Sequence, residues 1–179
     1  MAQKQPHSNN GNRANGNILE TRRKSDSIRR LEVMANEAAA VQYPAAARHG
    51  ALAPRKYSDR TANALTRAVV DFLNLSGWQA ERISVTGRPI DQSRIVKDVT
   101  GCNRRIGNVK WIPGNMTPGS ADVSATIKGR SVKIEIKIGK DRQSEAQMKY
   151  QSNIELAGGT YVIIHNFDEF LSWYNSFIE

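Results

Sequence analysis

Residues 121–140 read ADVSATIKGRSVKIEIKIGK, and this stretch decides the fold. Apolar and polar residues alternate on both sides of Lys128-Gly129, the period of two that marks half-buried strands. A two-residue hairpin loop needs positive φ, which glycine adopts without strain, so Lys128-Gly129 is the expected turn. That turn fixes a register. Val123 faces Ile134, Ala125 faces Val132 and Ala121 faces Ile136, on one apolar face extended by Ile127 and Ile138. The other face pairs Ser124 with Lys133, Asp122 with Glu135, and Ser120 with Lys137. A slip of one residue would scramble both faces, so the register is well specified.

The register sets two carboxylates, Asp122 and Glu135, across from each other. Opposed like charges destabilise a sheet, and a compensating cation is needed. Lys133 and Lys137 flank Glu135 on the same face and can serve. A divalent ion serves better, and hard oxygen ligands suit Mg²⁺ or Mn²⁺. Lys137 would then sit beside the metal, placed to orient an attacking water or to stabilise developing charge. The bland alternative is a solvated strand face of alternating Glu and Lys. The facing Asp and the positive charge of the chain favour the chemical reading.

Working outward, Ala62, Leu65, Val69, Phe72 and Leu73 recur at helical spacing, with Ser58 as the expected N-cap and Gly77 as the stop. Trp78 to Val85 reads as a strand. Residues 86–118 form a long polar segment with an apolar piece at Val109–Ile112, too long for an ordinary connection. After the hairpin, Ser144 is expected to cap a helix running to about Ala157, which Gly158-Gly159 ends. Thr160–Ile164 reads as a short buried strand, and Phe167 to the end as an amphipathic helix. The resulting order is helix, strand, strand, strand, helix, strand, helix, in a domain expected over residues 57–179.

Composition sets the class of partner. The chain has 179 residues, 26 Lys and Arg against 17 Asp and Glu, and a net charge of +9. Such a surplus points to a polyanion, nucleic acid before an anionic membrane. Residues 1–56 hold ten Lys and Arg against four Asp and Glu, and read as a basic, largely disordered N-terminal arm. Within it, residues from Ser25 to about Val41 read as one marginal helix with Ile28, Leu31, Met34 and Ala38 on one side. The 86–118 segment is basic as well, with six Lys and Arg against Asp91 and Asp98. The candidate nucleic-acid contacts are Arg82, Arg104, Arg105, Lys140 and Arg142. The single cysteine, Cys102, excludes an intramolecular disulfide and a cysteine-based zinc site. No apolar run approaches the roughly 18 residues of a membrane span, and the N-terminal residues lack a signal-peptide core. The expectation is a cytoplasmic protein without a membrane partner, in the host cell if phage-encoded.

Gly119-Ser120-Ala121-Asp122, Glu135-Ile136-Lys137, and Ser144 with Gln147 together resemble the PD-(D/E)xK nuclease superfamily, most closely its VRR-NUC branch. The resemblance covers about residues 57–179 and implies an α/β, restriction-endonuclease-like core: a mixed central sheet of about four strands flanked by helices. It implies that Asp122, Glu135 and the backbone carbonyl of Ile136 ligate Mg²⁺ or Mn²⁺. It further implies that Lys137 positions the hydrolytic water, that Gln147 supports the site, and that the reaction is hydrolysis of a DNA phosphodiester. Ala121 stands where the branch usually has Pro. The first helix carries no Glu between Tyr57 and Ala80, where many relatives place a metal-reaching one. The substrate is expected to be duplex or branched DNA. A junction-resolving enzyme would be a homodimer, although no dimer seam is readable. The competing expectation is a catalytically degenerate nucleic-acid-binding module on the same fold.

Overall fold

The computed structural model describes residues 24–84, 87–112 and 117–179. The disorder expected of the first seventeen residues lies outside these. The described chain is mixed α/β, built on a four-stranded mixed sheet flanked by helices. Its helices are α1 (Asp26–Gln42), the short α2 (Pro44–Arg48), α3 (Ala62–Leu75), α4 (Glu145–Leu156) and α5 (Phe167–Ile178). Its strands are β1 (Gln79–Arg82), β2 (Arg88–Asp91), β3 (Arg94–Lys97), β4 (Asn103–Ile106), β5 (Val109–Ile112), β6 (Val123–Ile127), β7 (Arg130–Ile136) and β8 (Thr160–Ile164).

The main sheet runs β1-β6-β7-β8. The hairpin of β6 and β7 has the register expected from the sequence, with Val123 opposite Ile134 and Ala125 opposite Val132. Lys128 (φ 49°) and Gly129 (φ 74°) form its turn, both in the left-handed region that suits a two-residue loop. β1 pairs antiparallel with β6, and β8 pairs parallel with β7 after the α4 crossover. Val123, Ala125, Ile127, Val132, Ile134, Ile136 and Ile164 form the buried face. Helices α1, α3 and α5 cover that face, while α4 lies against β8 on the other. Phe72 of α3 sits among Phe167, Phe170 and Tyr174 of α5 in edge-on contacts of 5.1–5.9 Å, the geometry favoured by ring quadrupoles.

Two local readings change. The N-cap of α3 is Thr61, whose hydroxyl accepts the Ala64 N–H; Ser58 instead accepts the N–H of Arg60. More consequentially, α1 belongs to the packed core. Ile28 and Leu31 are fully buried with Ala35, against α3 and α5. Burying an Ile or Leu stabilises by about 1.5–3 kcal/mol each, ample to hold a helix whose isolated stability is small. Ser25 caps it, and Asp26 places an acid in its first turn. The segment after α2 is laced to it: Glu32 accepts the N–H of Tyr57 at 2.7 Å, and Asn36 accepts that of Arg55 at 2.8 Å. The packed body therefore includes α1 as well as residues from 57 onward. Two cations of this basic stretch are engaged by acids, Lys24 with Glu32 and Arg29 with Asp26.

The long 86–118 segment holds two further two-stranded ladders, β2 with β5 and β3 with β4. Its four strands are short, and β4 and β5 are exposed along their whole length.

Candidate active site

At the C-terminal end of β7 the alternation of the strand divides the side chains. Ile134 and Ile136 enter the core, while Glu135 and Lys137 point to the α4 face. Both are almost fully buried, Glu135 2% and Lys137 6% exposed. A buried carboxylate and ammonium need partners, and here each has several. The Lys137 Nζ lies 3.1 Å from Glu135 Oε1 and donates to Gln147 Oε1 at 3.0 Å and to Asp141 Oδ2 at 3.3 Å. Gln147 Nε2 donates to Glu135 Oε1. The Tyr161 hydroxyl, on β8, donates to the other oxygen, Oε2, at 3.4 Å.

Gln147 reaches this site because of how α4 begins. Ser144 accepts the N–H of Gln147 at 3.3 Å, and Gln147 Oε1 accepts the N–H of Ser144 at 2.9 Å. This is a reciprocal capping box, which satisfies two otherwise orphaned donors and freezes the side chain of its third helical residue. The same amide thus closes the helix end and bridges Glu135 to Lys137. Gly119 brings the two halves together. It has φ +80°, and a Cβ there would fall 2.3 Å from the carbonyl of Ala146 and 2.7 Å from the N of Gln147. Only glycine lets the segment before Asp122 lie this close to the start of α4.

Asp122 departs from its expected place. The β6–β7 ladder stops at Val123–Ile134, and Asp122 stands in a bend just before β6. Neither Asp122–Glu135, Ala121–Ile136 nor Ser120–Lys137 is a ladder pair. Continuing the ladder would oppose two carboxylates. Instead, the Asp122 carboxylate turns onto β7 and accepts the N–H of Ile136 at 2.9 Å, while its backbone carbonyl accepts the N–H of Ile83. The two acids nevertheless feel each other. Burial raises the pKa of Glu135, the Lys137 hydrogen bond opposes this, and the Asp122 charge adds to the rise. Burial works against the Lys137 ammonium, but Glu135 and then Asp141 outweigh it and leave its pKa raised. Tyr161 is raised by burial and by the charge of Glu135.

The structure therefore gathers Asp122, Glu135, Lys137 and Gln147, with the Ile136 backbone held between Asp122 and β8. It adds Asp141 and Tyr161, neither singled out from the sequence. Tyr161 was hidden because its place depends on the parallel register of β8, where it pairs with Lys133. Lys133, one of the expected counter-cations, donates to Ser124 at 2.6 Å.

The expected nucleic-acid contacts are not gathered. Arg82 lies on the same side of β1 as the buried Ala80 and donates to Asn63 of α3 at 2.6 Å, away from the carboxylate face. Arg104 and Arg105 lie on β4 and pair with Asp98 and Asp91. Lys140 and Arg142 are exposed in the loop between β7 and α4, next to Asp141.

Among the described residues, no group of three or more His, Cys, Asp and Glu side chains is arranged to hold a metal ion. Two carboxylates suit a Mg²⁺-type ion nonetheless, since that ion commonly keeps several waters and takes one or two carboxylates plus substrate phosphate. The charge of Asp122 bears on Glu135, and Lys137 is the cation that meets Glu135 in this structure. Among the described residues, no helix is long and apolar enough to cross a membrane.

No model of a known protein family matches this chain, and no curated protein matches it at a significant level.

Proposed function

We propose that the chain is a Mg²⁺- or Mn²⁺-dependent endonuclease that hydrolyses phosphodiester bonds in duplex or branched DNA, on a restriction-endonuclease-like core of the VRR-NUC type. The observation that carries this reading is the buried Glu135–Lys137 pair, bridged by Gln147 and set beside Asp122. Buried ion pairs are an inefficient way to stabilise a fold, because desolvation offsets most of the Coulombic gain. Clustered acids with an adjacent lysine, by contrast, are apt tools for charged phosphate chemistry.

Asp122 and Glu135 would hold the ion, with the Ile136 carbonyl as a third oxygen. When bound, the ion supplies charge neutralisation at the scissile phosphate. The chain's own groups do the rest. The three donors of Lys137 are held by Glu135, Gln147 and Asp141; exchanging the rim contact with Asp141 would free one to orient the attacking water or meet the charge that develops on phosphate. Gln147 fixes the Lys137 ammonium, and Asp141 competes for it from the rim.

A second reading has one observation in its favour. Helix α3 brings no carboxylate to the site, and its polar Asn63 is taken by Arg82. That would suit a degenerate module that binds nucleic acid without cutting it. A cleavage assay on single-stranded, duplex, flapped and four-way-junction DNA separates the two. Cutting that needs Mg²⁺ or Mn²⁺, stops with EDTA and is absent in Glu135→Ala supports the nuclease. Salt-sensitive binding with no cutting under any metal establishes the module instead.

A further inference from the structure

Strands β2 to β5 are one arm. Arg88 faces Ile112 in the first ladder, Arg94 faces Ile106 in the second, and the same register runs through both. Between them the Gln92 N–H donates to the Asn108 carbonyl at 3.1 Å, so no residue is inserted on either side. Residues 88–97 and 103–112 thus carry two ladders in one register, joined through a step at Gln92-Ser93 and Gly107-Asn108 that is not ladder-paired, and span roughly 30 Å at the usual rise per residue. Its tip is closed by Asp98, whose carboxylate accepts from the N–H groups of Thr100 (2.8 Å) and Cys102 (3.0 Å). Two strands alone are marginal in water. This ribbon nonetheless exposes Ile106 and Ile112 on one face and Ile95, Val109 and Trp111 on the other, and its tip Val99 is fully exposed.

The two faces of the ribbon differ. On one, each cross-strand pair joins a cation to an aliphatic side chain: Arg88 with Ile112, Lys110 with Ile90, Arg94 with Ile106, Arg104 with Val96. The middle of this face carries the amides of Gln92 and Asn108. Its one nearby acid, Asp98 at the tip, is 3.6 Å from Arg104. On the other face, Asp91 neutralises Arg105. One face is therefore cationic along its length, with amides at its centre and apolar groups between the charges.

We propose that this face of the 88–112 ribbon docks in the major groove of B-form DNA. The groove is about 12 Å wide and admits a two-stranded ribbon. The length of the ribbon is about one helical turn of the duplex, roughly 34 Å. The cations meet the phosphate rims, the aliphatic groups meet thymine methyls, and the central amides meet base edges. A-form RNA is excluded by the same geometry, since its major groove is too deep and narrow for side chains to read. The proposal extends the DNA-acting reading above by assigning the surface that holds the duplex.

The test is binding by the full chain in EDTA, followed by fluorescence anisotropy. The ligands are a 30-base-pair DNA duplex and an RNA duplex of the same sequence, titrated across salt concentration. The variants are the triple Arg88→Ala, Arg94→Ala, Lys110→Ala, its Lys-bearing counterpart (Arg88→Lys, Arg94→Lys), and Lys97→Ala from the other face. The wild type is expected to prefer DNA. The triple Ala variant should bind at least tenfold more weakly, with a log–log salt slope shallower by up to about 2.7, as for three lost phosphate contacts. The Lys counterpart should keep the slope, and Lys97→Ala should stay within threefold of wild type. Unchanged binding by the triple Ala variant, equal or tighter binding to the RNA duplex, or a wild-type self-association that the triple variant abolishes each overturns the proposal. The two readings fail separately. DNA cleavage with ribbon-independent binding leaves the nuclease standing and sinks the ribbon proposal. Ribbon-dependent binding without cleavage does the reverse.

Discussion

The Lys137 ammonium lies 3.1 Å from the Glu135 carboxylate, with both side chains all but closed to water. Removing either member leaves the other buried without its counter-charge. Breaking such a pair costs about 3–5 kcal/mol, whereas replacing both with neutral groups of similar size costs far less. Lys137→Met should therefore destabilise by about that amount. The double change Glu135→Gln with Lys137→Met should recover much of the loss. Urea unfolding of the four members of the cycle measures the coupling. Cleavage should be absent from all three variants, so the recovered stability would separate the structural role of the pair from its chemical one. Additive losses would mean that the two groups do not act as a pair.

Gln147 serves the helix and the site with one amide. Ser144→Ala removes the hydroxyl of the cap and leaves that amide in reach of Glu135 and Lys137; a loss of about 1 kcal/mol is expected. Gln147→Leu removes the reciprocal bond and both site contacts. Its cost in cleavage should exceed its cost in stability, and exceed that of Ser144→Ala by tenfold or more. Thermal melts beside initial cleavage rates would show it. Equal activity losses in the two variants would reduce Gln147 to a capping residue.

Gly119 is tested by a single methyl group. Gly119→Ala puts a Cβ on the backbone of Ala146 and Gln147 and forces an L-residue to φ +80°. Either the loop bearing Asp122 or the start of α4 must shift. Overpacking of this kind costs about 1–3 kcal/mol. Cleavage should fall together with the melting temperature, because Asp122 and Gln147 separate when the contact opens. The same change at Gly129, where open space surrounds the Cβ, should lower stability through φ alone and leave cleavage intact.

What could be read from the sequence is what local pattern encodes. The β6–β7 hairpin was legible because a turn glycine and strict alternation fix its register together, and the capping role of Ser144 followed from its place before a helical run. The bend at Asp122 is not legible, because the sequence shows the opposed carboxylates but not whether a cation compensates them or the ladder ends before they meet. Helix α1 reads as marginal in the sequence because its partners, α3 and α5, lie far along the chain, and no periodicity reports contacts at that distance. The ribbon was hidden for another reason. Each of its strands mixes cations with aliphatics, so neither face gives the apolar alternation by which a strand announces itself.

Helix α1 gives a pH signature outside the candidate site. Burial pushes the Glu32 carboxyl up, but the bond from Lys24 and the N–H of Tyr57 pull harder and leave its pKa lowered. A carboxylate with a depressed pKa in the folded state contributes stability that is fully present above its unfolded value. That contribution is lost as pH falls through the folded value, because the unfolded chain binds the proton first. Glu32 should therefore support the docking of α1 at neutral pH and release it from about pH 4.3, the ordinary value for a glutamate, downward. Glu32→Gln keeps an acceptor for Tyr57 and removes the charge, and a loss on the order of 1 kcal/mol at pH 7 is expected. Urea midpoints measured from pH 7 to pH 3 should converge for the two proteins at the acid end. A constant gap across that range would show that Glu32 acts through packing and not through its charge.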